Sequence, residues 1–543
     1  MNFDCDIACV GFGPAMGGFL TTLAKGLDGL GSHAMPGMPP QVLCYERADD
    51  LSFGVSGVVT RGRAIRASLP DFAPSNVPMA APVTGERVAY LLDPHGASHR
   101  PWPMRAADQI LKIAATDHAL ELPWIPGFLH KQDGFVASLG QFNQWVAGEL
   151  MMTGLIQLWP ATPVEAPIIE DHRVAGVKLL GGPEVRAALT VIGDGPVGPV
   201  GRALDDHFGL PNSHARDEWA VGMKLVIDLP ETCKLEPGTV LHTIGYPEPE
   251  IFGFFYVHPD RVASAGIFVP SWFRSPLATA YRYLQHFLLH PYIWKHVEGG
   301  RMRSWGAKSL NENGRRGEPH LTGNGYARIG EGSGSTNVLT GSGVDEAWLT
   351  GTLLAEAVLE LLRAGKPFTK ENLDATYVER RRESWLEREL HVAERARDGF
   401  THGVLTGFFG MGLAGFTGGR LAIPRRPLKA ATPTEKNFDR WPDIPYDGQL
   451  LVTHQDALLM GGKVQAPSSA EDHVRFKDRA VCESCKSHRC VTMCSGQALH
   501  AGDDGLPRFD REKCVHCGAC LWNCEPANII FAAGHGGLHS AEN

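Results

Sequence analysis

Between Cys482 and Cys524 the chain carries eight of its twelve cysteines, in two runs of four. The second run, CVHCGACLWNC, sets Cys514, Cys517, Cys520 and Cys524 at C-x2-C-x2-C-x3-C. The first, CESCKSHRCVTMC, sets Cys482, Cys485, Cys490 and Cys494 in the same layout with two more residues in the loop. A loop at this spacing wraps three thiolates round one face of an iron–sulfur cube, and the fourth cysteine turns to a second cube. Similar text, CSGQALHA and CEPANIIFA, follows the two runs, so the segment is an internal repeat. The proline expected after the fourth cysteine is Ser495 in the first run and comes one place late, as Pro526, in the second; neither departure removes a ligand. Zinc and disulfides are the other readings. Zinc favours paired knuckles or histidine ligands, and His488 and His516 lie inside the runs. Disulfides suit secreted chains. The opening MNFDCDIACVGFG has Asp4, Asp6 and no basic residue, which is no signal or transit peptide. A reducing compartment, the cytoplasm, is the expectation.

The other end of the chain reads as a nucleotide site. DIACVGFGPAMGG is an apolar strand and a glycine turn, and FLTTLAKGL continues as a helix. Gly11 permits the tight turn, and Gly13 lets the backbone approach a pyrophosphate seated on the helix N-terminus, beside Pro14 and Ala15. Met16 stands where a third glycine is usual, and Gly17 and Gly18 follow it. The next apolar run, QVLCYERAD, ends at Glu46 and Arg47, with the acid placed for ribose hydroxyls. Two later strands end in Gly193-Asp194-Gly195 and Gly330-Glu331-Gly332, the second before the helix AWLTGTLLAEAVLELL. Acids at such strand ends meet the ribityl or pyrophosphate of FAD, so the pair selects FAD over a nicotinamide.

A length of 543 residues allows two or three domains, and a net charge of -9 argues against a nucleic-acid partner. Between about 210 and 325, EWAVGMKLVIDLP, GTVLHTIGYP, IFGFFYVHP and RVASAGIFVP read as an antiparallel sheet. Its aromatics Phe254, Phe255, Tyr256, Trp272 and Phe273, and the histidines His242, His258 and His290, read as core. The charged stretch from Lys366 to Gly399 reads as a solvated helix, with partner docking as the sharper alternative. Gly399 to Gly419 holds no Asp, Glu, Lys or Arg but eight glycines, and Arg420, Arg425, Arg426 and Lys429 follow. That composition suits an element dipping into one leaflet more than a span. LPWIPGFL, from Leu122 to Leu129, is the second candidate for a membrane face.

Several stretches resemble the electron-transfer flavoprotein:quinone oxidoreductases, in order and along nearly the whole chain. They are FGVSGVV, APVTGERVAYL, LPWIPGFLHKQDGFVASLGQFNQWV, GTVLHTIGYP, HPYIWKHVEGGRMRSWGAKSLNENG and STNVLTGSGVDEAWLTGTLLAEA. The resemblance implies FAD, a quinone as substrate and a [4Fe–4S] cluster held by Cys494, Cys514, Cys517 and Cys520. It departs from the family in leaving Cys482, Cys485, Cys490 and Cys524 for a second [4Fe–4S] cluster. Ser138 stands where the family has arginine. The resemblance extends the FAD contacts to Ser56, Gly57, Val58, Val164 and Asn337. It places Pro126, Gly127, Phe128, Phe408, Phe409 and Phe416 at the quinone entry and membrane face.

The expected fold is α/β with α+β: a Rossmann-like FAD-binding domain, an inserted antiparallel-sheet quinone or substrate domain, and a ferredoxin-like [4Fe–4S] domain. The boundaries are 1–210 with 325–400 for FAD, 211–324 for the sheet, 400–470 for the membrane-facing segment and linker, and 471–543 for the clusters. The implied activity carries electrons from an electron-transfer flavoprotein, an alpha/beta heterodimer, through the clusters and FAD to quinone. The expected location is peripheral, at the lipid surface of the cytoplasmic face of the inner membrane. The rival readings are a relay subunit of a larger, bifurcating complex and a flavin-dependent isoprenoid double-bond reductase.

Overall fold

A computed structural model of the chain describes residues 3–32, 34–49, 51, 57–211, 218–271, 280–426, 441–460 and 471–534. Strand Cys5–Val10 is buried at every position, as a central parallel strand covered on both faces must be. It pairs in parallel with Val42–Tyr45 on one side and with Glu184–Ile192 on the other. Ile156–Trp159 and Tyr326–Arg328 extend the sheet outward. The hairpin Val164–Glu170 and Arg173–Leu179 packs antiparallel onto Glu184–Ile192. Helix Pro14–Ala24 follows the first strand and lies against the long helix Val344–Arg363. Small residues permit that close approach: a Cβ on Gly18 would overlap the Trp348 carbonyl oxygen, and one on Gly351 that of Ala15.

The second sheet runs Arg301–Asn311, Trp219–Asp228, Val262–Pro270, Phe252–His258, Thr239–Ile244, Gly85–Leu91, Ala119–Glu121. The last two strands come from the segment that the sequence assigned to 1–210. They join this sheet because Gly85–Leu91 pairs in parallel with Thr239–Ile244, a contact between residues far apart in the chain that no local pattern signals. The sheet is thus antiparallel except at that one pair. Strand alternation sends Phe255 into the core with Tyr283 and Phe287, and Phe254 and Tyr256 to the opposite face. His258 bonds the Ser264 hydroxyl and the Met79 carbonyl, and His290 bonds the Leu92 carbonyl; both are core, with pKa values pushed by burial down to about 4 and about 3. Trp272, Phe273, Lys429 and Ser56 lie outside the described residues.

Residues 441–460 are not a plain linker. Trp441, Ile444, Leu450, Leu451, Val452 and Ala457 join the core of the second sheet, and Trp305 donates to the Ala457 carbonyl. The charged stretch after Lys366 breaks into short helices with one buried face, and Arg381 is fully buried on it. The cysteine segment folds round its own small core of Val474, Cys490, Cys494, Leu499, Cys520, Ile529 and Phe531. Two short antiparallel pairs frame it, Val474–Phe476 with Ile529–Phe531 and Leu499–Ala501 with Pro507–Phe509.

Helix Val404–Phe416 is about 20 Å long at 1.5 Å per residue, too short to span a bilayer. Among the described residues no helix is long and apolar enough to cross a membrane. Its glycine side, Gly407 and Gly410, packs on Phe400 and Ile423. Phe409 and Phe416 are left 67% and 69% exposed.

Candidate functional site

One cavity of about 590 Å³ lies between the two sheets and reaches the cysteine segment. At its first end are Gly11, Gly13, Pro14 and Ala15, with Glu46 and Arg47 beside them. Gly11 has φ +81°, and a Cβ there would press on the Gly193 carbonyl oxygen. Gly13 precedes the helix with no side-chain cap, and a Cβ on it would meet only open space. The helix therefore offers unpaired backbone N–H groups to the cavity, which is what a phosphate needs. Met16 does not line the cavity; it is fully buried behind the turn, its methyl close to Gly193.

Gly57, Val58, Val164, Gly193 and Asp194 line the middle of the cavity, with Gly330, Glu331 and Asn337. Three of the acids are already engaged. Glu46 accepts from the backbone N–H of Phe12 at 2.6 Å and of Ala48 at 2.9 Å, holding the two nucleotide turns together. Asp194 accepts from Val200 and Gly201 at 2.9 and 3.0 Å and so caps helix Pro199–Phe208. Burial pushes its pKa up to about 6 against those bonds and the nearby Arg328. Glu331 accepts from the Asn311 N–H at 3.3 Å, and burial pushes it up to about 7. Arg381 holds that turn from behind, donating to the Ser333 hydroxyl and carbonyl. Ser138 is buried and caps helix Leu139–Thr153.

The other end is apolar. Phe254, Tyr256 and Phe268 form one wall, and Pro126, Phe128, Phe408 and Met411 the other. Phe408 packs against Phe252 and Phe400. Gly127, Phe409 and Phe416 do not line the cavity. Phe416 lies outside it against Trp124 and Phe128, with ring centroids 6.1 and 6.3 Å apart. The short helix and the 122–129 loop therefore make one exposed aromatic rim at the apolar end.

The eight cysteines sort into two quartets that cross the two runs. Cys490 has Cys524, Cys485 and Cys482 as its electrostatic neighbours. Cys520 has Cys517, Cys494 and Cys514 as its foremost ones, ahead of Cys490. Burial pushes the Cys490 thiol up to about 12 and that of Cys494 up to about 11, so these two stay protonated when bare; a cation beside them makes them ligands. Donors already face the sulfurs: Leu499 N to Cys494 at 3.3 Å, Asn528 N to Cys524 at 3.2 Å, and Asn528 Nδ2 to Cys482 at 3.3 Å. Among the described residues no three of these sulfurs come within 4.8 Å of one another. A single tetrahedral zinc, with Zn–S bonds of about 2.3 Å, would draw its ligands within about 4 Å. The one close group of three among the described residues is His473, Cys514 and His516, its two rings stacked at 4.1 Å. His516 also lines the cavity, and Cys517 accepts at its carbonyl from Ser309 N at 2.8 Å. The quartet with Cys514, Cys517 and Cys520 is therefore the inner one, next to the cavity.

Four cavity residues had no signal in the sequence. Lys224 donates to the Gly57 carbonyl at 3.1 Å and lies 5.4 Å from the Phe254 ring. Lys308 sits among Arg47, Glu331 and Cys517. Burial pushes both lysines down to about 8. Arg397 pairs with Glu312 and lies over Phe252. His242, read as core, lines the apolar end and bonds Glu86. Lys224, His242 and Lys308 stand on ordinary apolar strands that only the pairing of distant strands turns inward, and Arg397 comes from the turn before the short helix Asp398–His402.

Residues 219–310, the heart of the second sheet, match the family model described as ETF-QO, ubiquinone-binding. The chain is 24% identical to the electron transfer flavoprotein-ubiquinone oxidoreductase of Pseudomonas aeruginosa, over 98% of this chain and 97% of that one. It is 25% identical to the mitochondrial protein of the same name from Mus musculus, over 99% and 89%. Among solved structures, a geranylgeranyl bacteriochlorophyll reductase-like protein of Thermoplasma acidophilum aligns with a TM-score of 0.56 at 17% identity, over 77% of this chain and 92% of that one. A triple mutant of a flavin-dependent brominase aligns at 0.51 and 15% identity, over 76% and 94%. These two likenesses are of fold.

Proposed function

We propose that this chain, similar to the electron transfer flavoprotein-ubiquinone oxidoreductases along nearly its whole length, carries electrons from an electron-transfer flavoprotein to a membrane quinone. The observation that supports it most is that one cavity joins the parts of the site. Three glycine turns, His516 of the cysteine loop and Phe408 of the short exposed helix all line it. FAD at the glycine end and a [4Fe–4S] cluster in each quartet supply the one- and two-electron chemistry.

The chain's own residues divide the remaining work. Gly13 and the helix N-terminus behind it would hold the pyrophosphate, and Glu46 and Arg47 the adenosine side. Asp194, Glu331 and Asn337 would border the rest of the nucleotide, with Gly57, Val58 and Val164 along its length. Cys494, Cys514, Cys517 and Cys520 would hold the inner cluster, and Cys482, Cys485, Cys490 and Cys524 the outer one, in a ferredoxin-like domain. Phe128, Phe254 and Phe408 would exclude water round the quinone head. Phe409 and Phe416 would enter the lipid surface at the mouth. A peripheral attachment by this rim accords with a helix of one leaflet's depth.

The test is anaerobic purification with iron, sulfide and flavin counts, then a quinone-reduction assay with reduced electron-transfer flavoprotein. About eight irons and one FAD, with quinol formed, support the proposal; zinc without flavin sinks it. The membrane part is checked separately. Phe409→Glu with Phe416→Glu is expected to weaken co-sedimentation with phosphatidylglycerol vesicles at least about tenfold, since each buried aromatic contributes about 1.5–3 kcal/mol. Unchanged sedimentation would move the membrane face elsewhere.

A further inference from the structure

The apolar end of the cavity is joined to solvent by three titratable side chains in hydrogen-bond contact. His242, on strand Thr239–Ile244, lines the cavity, and its Nε2 lies 3.0 Å from Glu86 Oε1. Glu86, on the neighbouring strand Gly85–Leu91, has its other oxygen 2.6 Å from His130 Nδ1. His130 reaches the surface, where Nε2 lies 3.0 Å from Gln132 Oε1. Side-chain exposure falls from 41% at His130 to 4% at Glu86 and 11% at His242. The two strands pair in parallel with Glu86 opposite Val240, so Glu86 and His242 share one sheet face two residues apart in register.

We propose that His130, Glu86 and His242 form a proton relay from solvent to the reduced acceptor oxygen in the apolar end of the cavity, a role that rests on the quinone-reducing function argued above.

The bonding shows why this chain can pass protons. Gln132 bonds the outer ring nitrogen of His130 and Glu86 the inner one, so both nitrogens sit in hydrogen bonds. The 2.6 Å contact between His130 Nδ1 and Glu86 holds one proton between ring and carboxyl. The His130–Glu86 pair therefore holds one transferable proton, poised toward solvent at one end and His242 at the other. The Lys131 backbone N–H, at 3.0 and 2.9 Å from the two Glu86 oxygens, keeps the carboxyl in place. Burial raises the Glu86 pKa, but the bonds from His242, Lys131 N and His130 outweigh it and hold it below the usual carboxylate range. Burial keeps His242 below the usual imidazole range. The charged groups facing the triad are few. Lys131 Nζ is bound to the Thr340 carbonyl, with Glu346 and Glu389 near it. Arg61 is bound to the Gly127 and His130 carbonyls. The Tyr256 ring lies edge-on to His242 at 6.4 Å.

The proton balance closes. A quinone becomes a quinol by taking two electrons, which the proposed function would supply, and two protons. For each proton, the Glu86 carboxyl protonates His242 at Nε2, the imidazolium so formed gives its other N–H to the reduced acceptor oxygen, and a turn of the ring brings a bare nitrogen back to Glu86. His130 passes its Nδ1 proton to Glu86, takes one from solvent at Nε2, and a turn of its ring brings that N–H back to Glu86. Two passages complete the quinol.

The experiment compares wild-type holoprotein with His242→Asn, Glu86→Gln and His130→Ala, each checked for flavin content. Rates are read with a soluble short-chain quinone and with ferricenium, which takes one electron and no proton. The ratio of quinone rate to ferricenium rate is expected to fall by about 10²-fold in His242→Asn and Glu86→Gln, in the range of a lost general acid. Wild type should show a solvent deuterium isotope effect on quinone alone. His130→Ala, at the surface, is the variant that folds safely; added imidazole should restore its ratio, which a merely structural role would not allow. Carbon-13 NMR of labelled glutamate provides the readout apart from turnover: the Glu86 titration should move up in His242→Asn. An unchanged ratio in all three variants, or a loss in His130→Ala that imidazole does not restore, overturns the relay. A wild type that reduces ferricenium but no quinone overturns the function itself, and the relay falls with it.

Discussion

Cys494→Ala is expected to remove the inner cluster and Cys524→Ala the outer one, although each cysteine belongs to the run that supplies most of the other cluster. Iron should fall from about eight to about four per chain in either variant. The pairing of spectra is the discriminating result. Cys494→Ala should leave the same EPR signal as Cys517→Ala, and Cys524→Ala the same as Cys490→Ala. The basis is which thiols are neighbours in the fold: Cys490 with Cys524, Cys485 and Cys482, and Cys520 foremost with Cys517, Cys494 and Cys514. Turnover driven by the partner flavoprotein should be lost in all four variants, because an uncompensated gap of one cluster lengthens the path to the cavity. Inner-quartet variants should also disturb the contact at Ser309, whose N–H bonds the Cys517 carbonyl. If Cys494→Ala instead matched Cys490→Ala, each run would hold its own cluster and the crossed arrangement would be wrong.

Gly351→Val should cost the chain its flavin as well as stability. Gly351 faces the first helix so closely that a Cβ would overlap the Ala15 carbonyl oxygen and stand 2.6 Å from the Phe19 nitrogen. The helix Pro14–Ala24 must then retreat from Val344–Arg363. Ala15, Phe19 and Trp348, all in the largest core, lose packing with it. Overpacking of this kind costs about 1–3 kcal/mol. For a unit of 150–250 residues each kcal/mol lowers the melting midpoint by about 2–4 °C. The retreat also turns the helix N-terminus away from the cavity, so FAD affinity should drop at least about tenfold, an effect of about 1.4 kcal/mol. Flavin-fluorescence titration and a thermal melt read the two effects. An unchanged affinity would mean that this helix end does not hold the cofactor.

Part of the site is legible in the order of residues alone. The glycine turn at Gly11 and Gly13, the acids Glu46, Asp194 and Glu331, and the eight cysteines are all short-range patterns. Each motif needs only a few neighbouring residues to state its geometry. Met16 misleads for the same reason: it lies inside the pattern, but its side chain points into the core behind the turn. Composition groups Phe409 and Phe416 with Phe408. Helical rotation separates them, one ring into the cavity and two toward the outside.

Sequence alone marked the candidate chemistry at each end of the chain, because spacing within a run of cysteines or a glycine turn is a local property that survives in one dimension. It did not determine which quartet is inner, why 441–460 is core, or that Gly85–Leu91 belongs to the second sheet. Those follow from strand pairing and docking between residues far apart in the chain. The His130–Glu86–His242 chain is the clearest case. Glu86 and His242 are separated by 156 positions yet meet at 3.0 Å, since a parallel pair of strands brings them onto one face. Side chains that meet only through long-range pairing leave no local pattern to read, so the tertiary structure alone decided that a surface histidine, a buried carboxylate and a cavity histidine would touch.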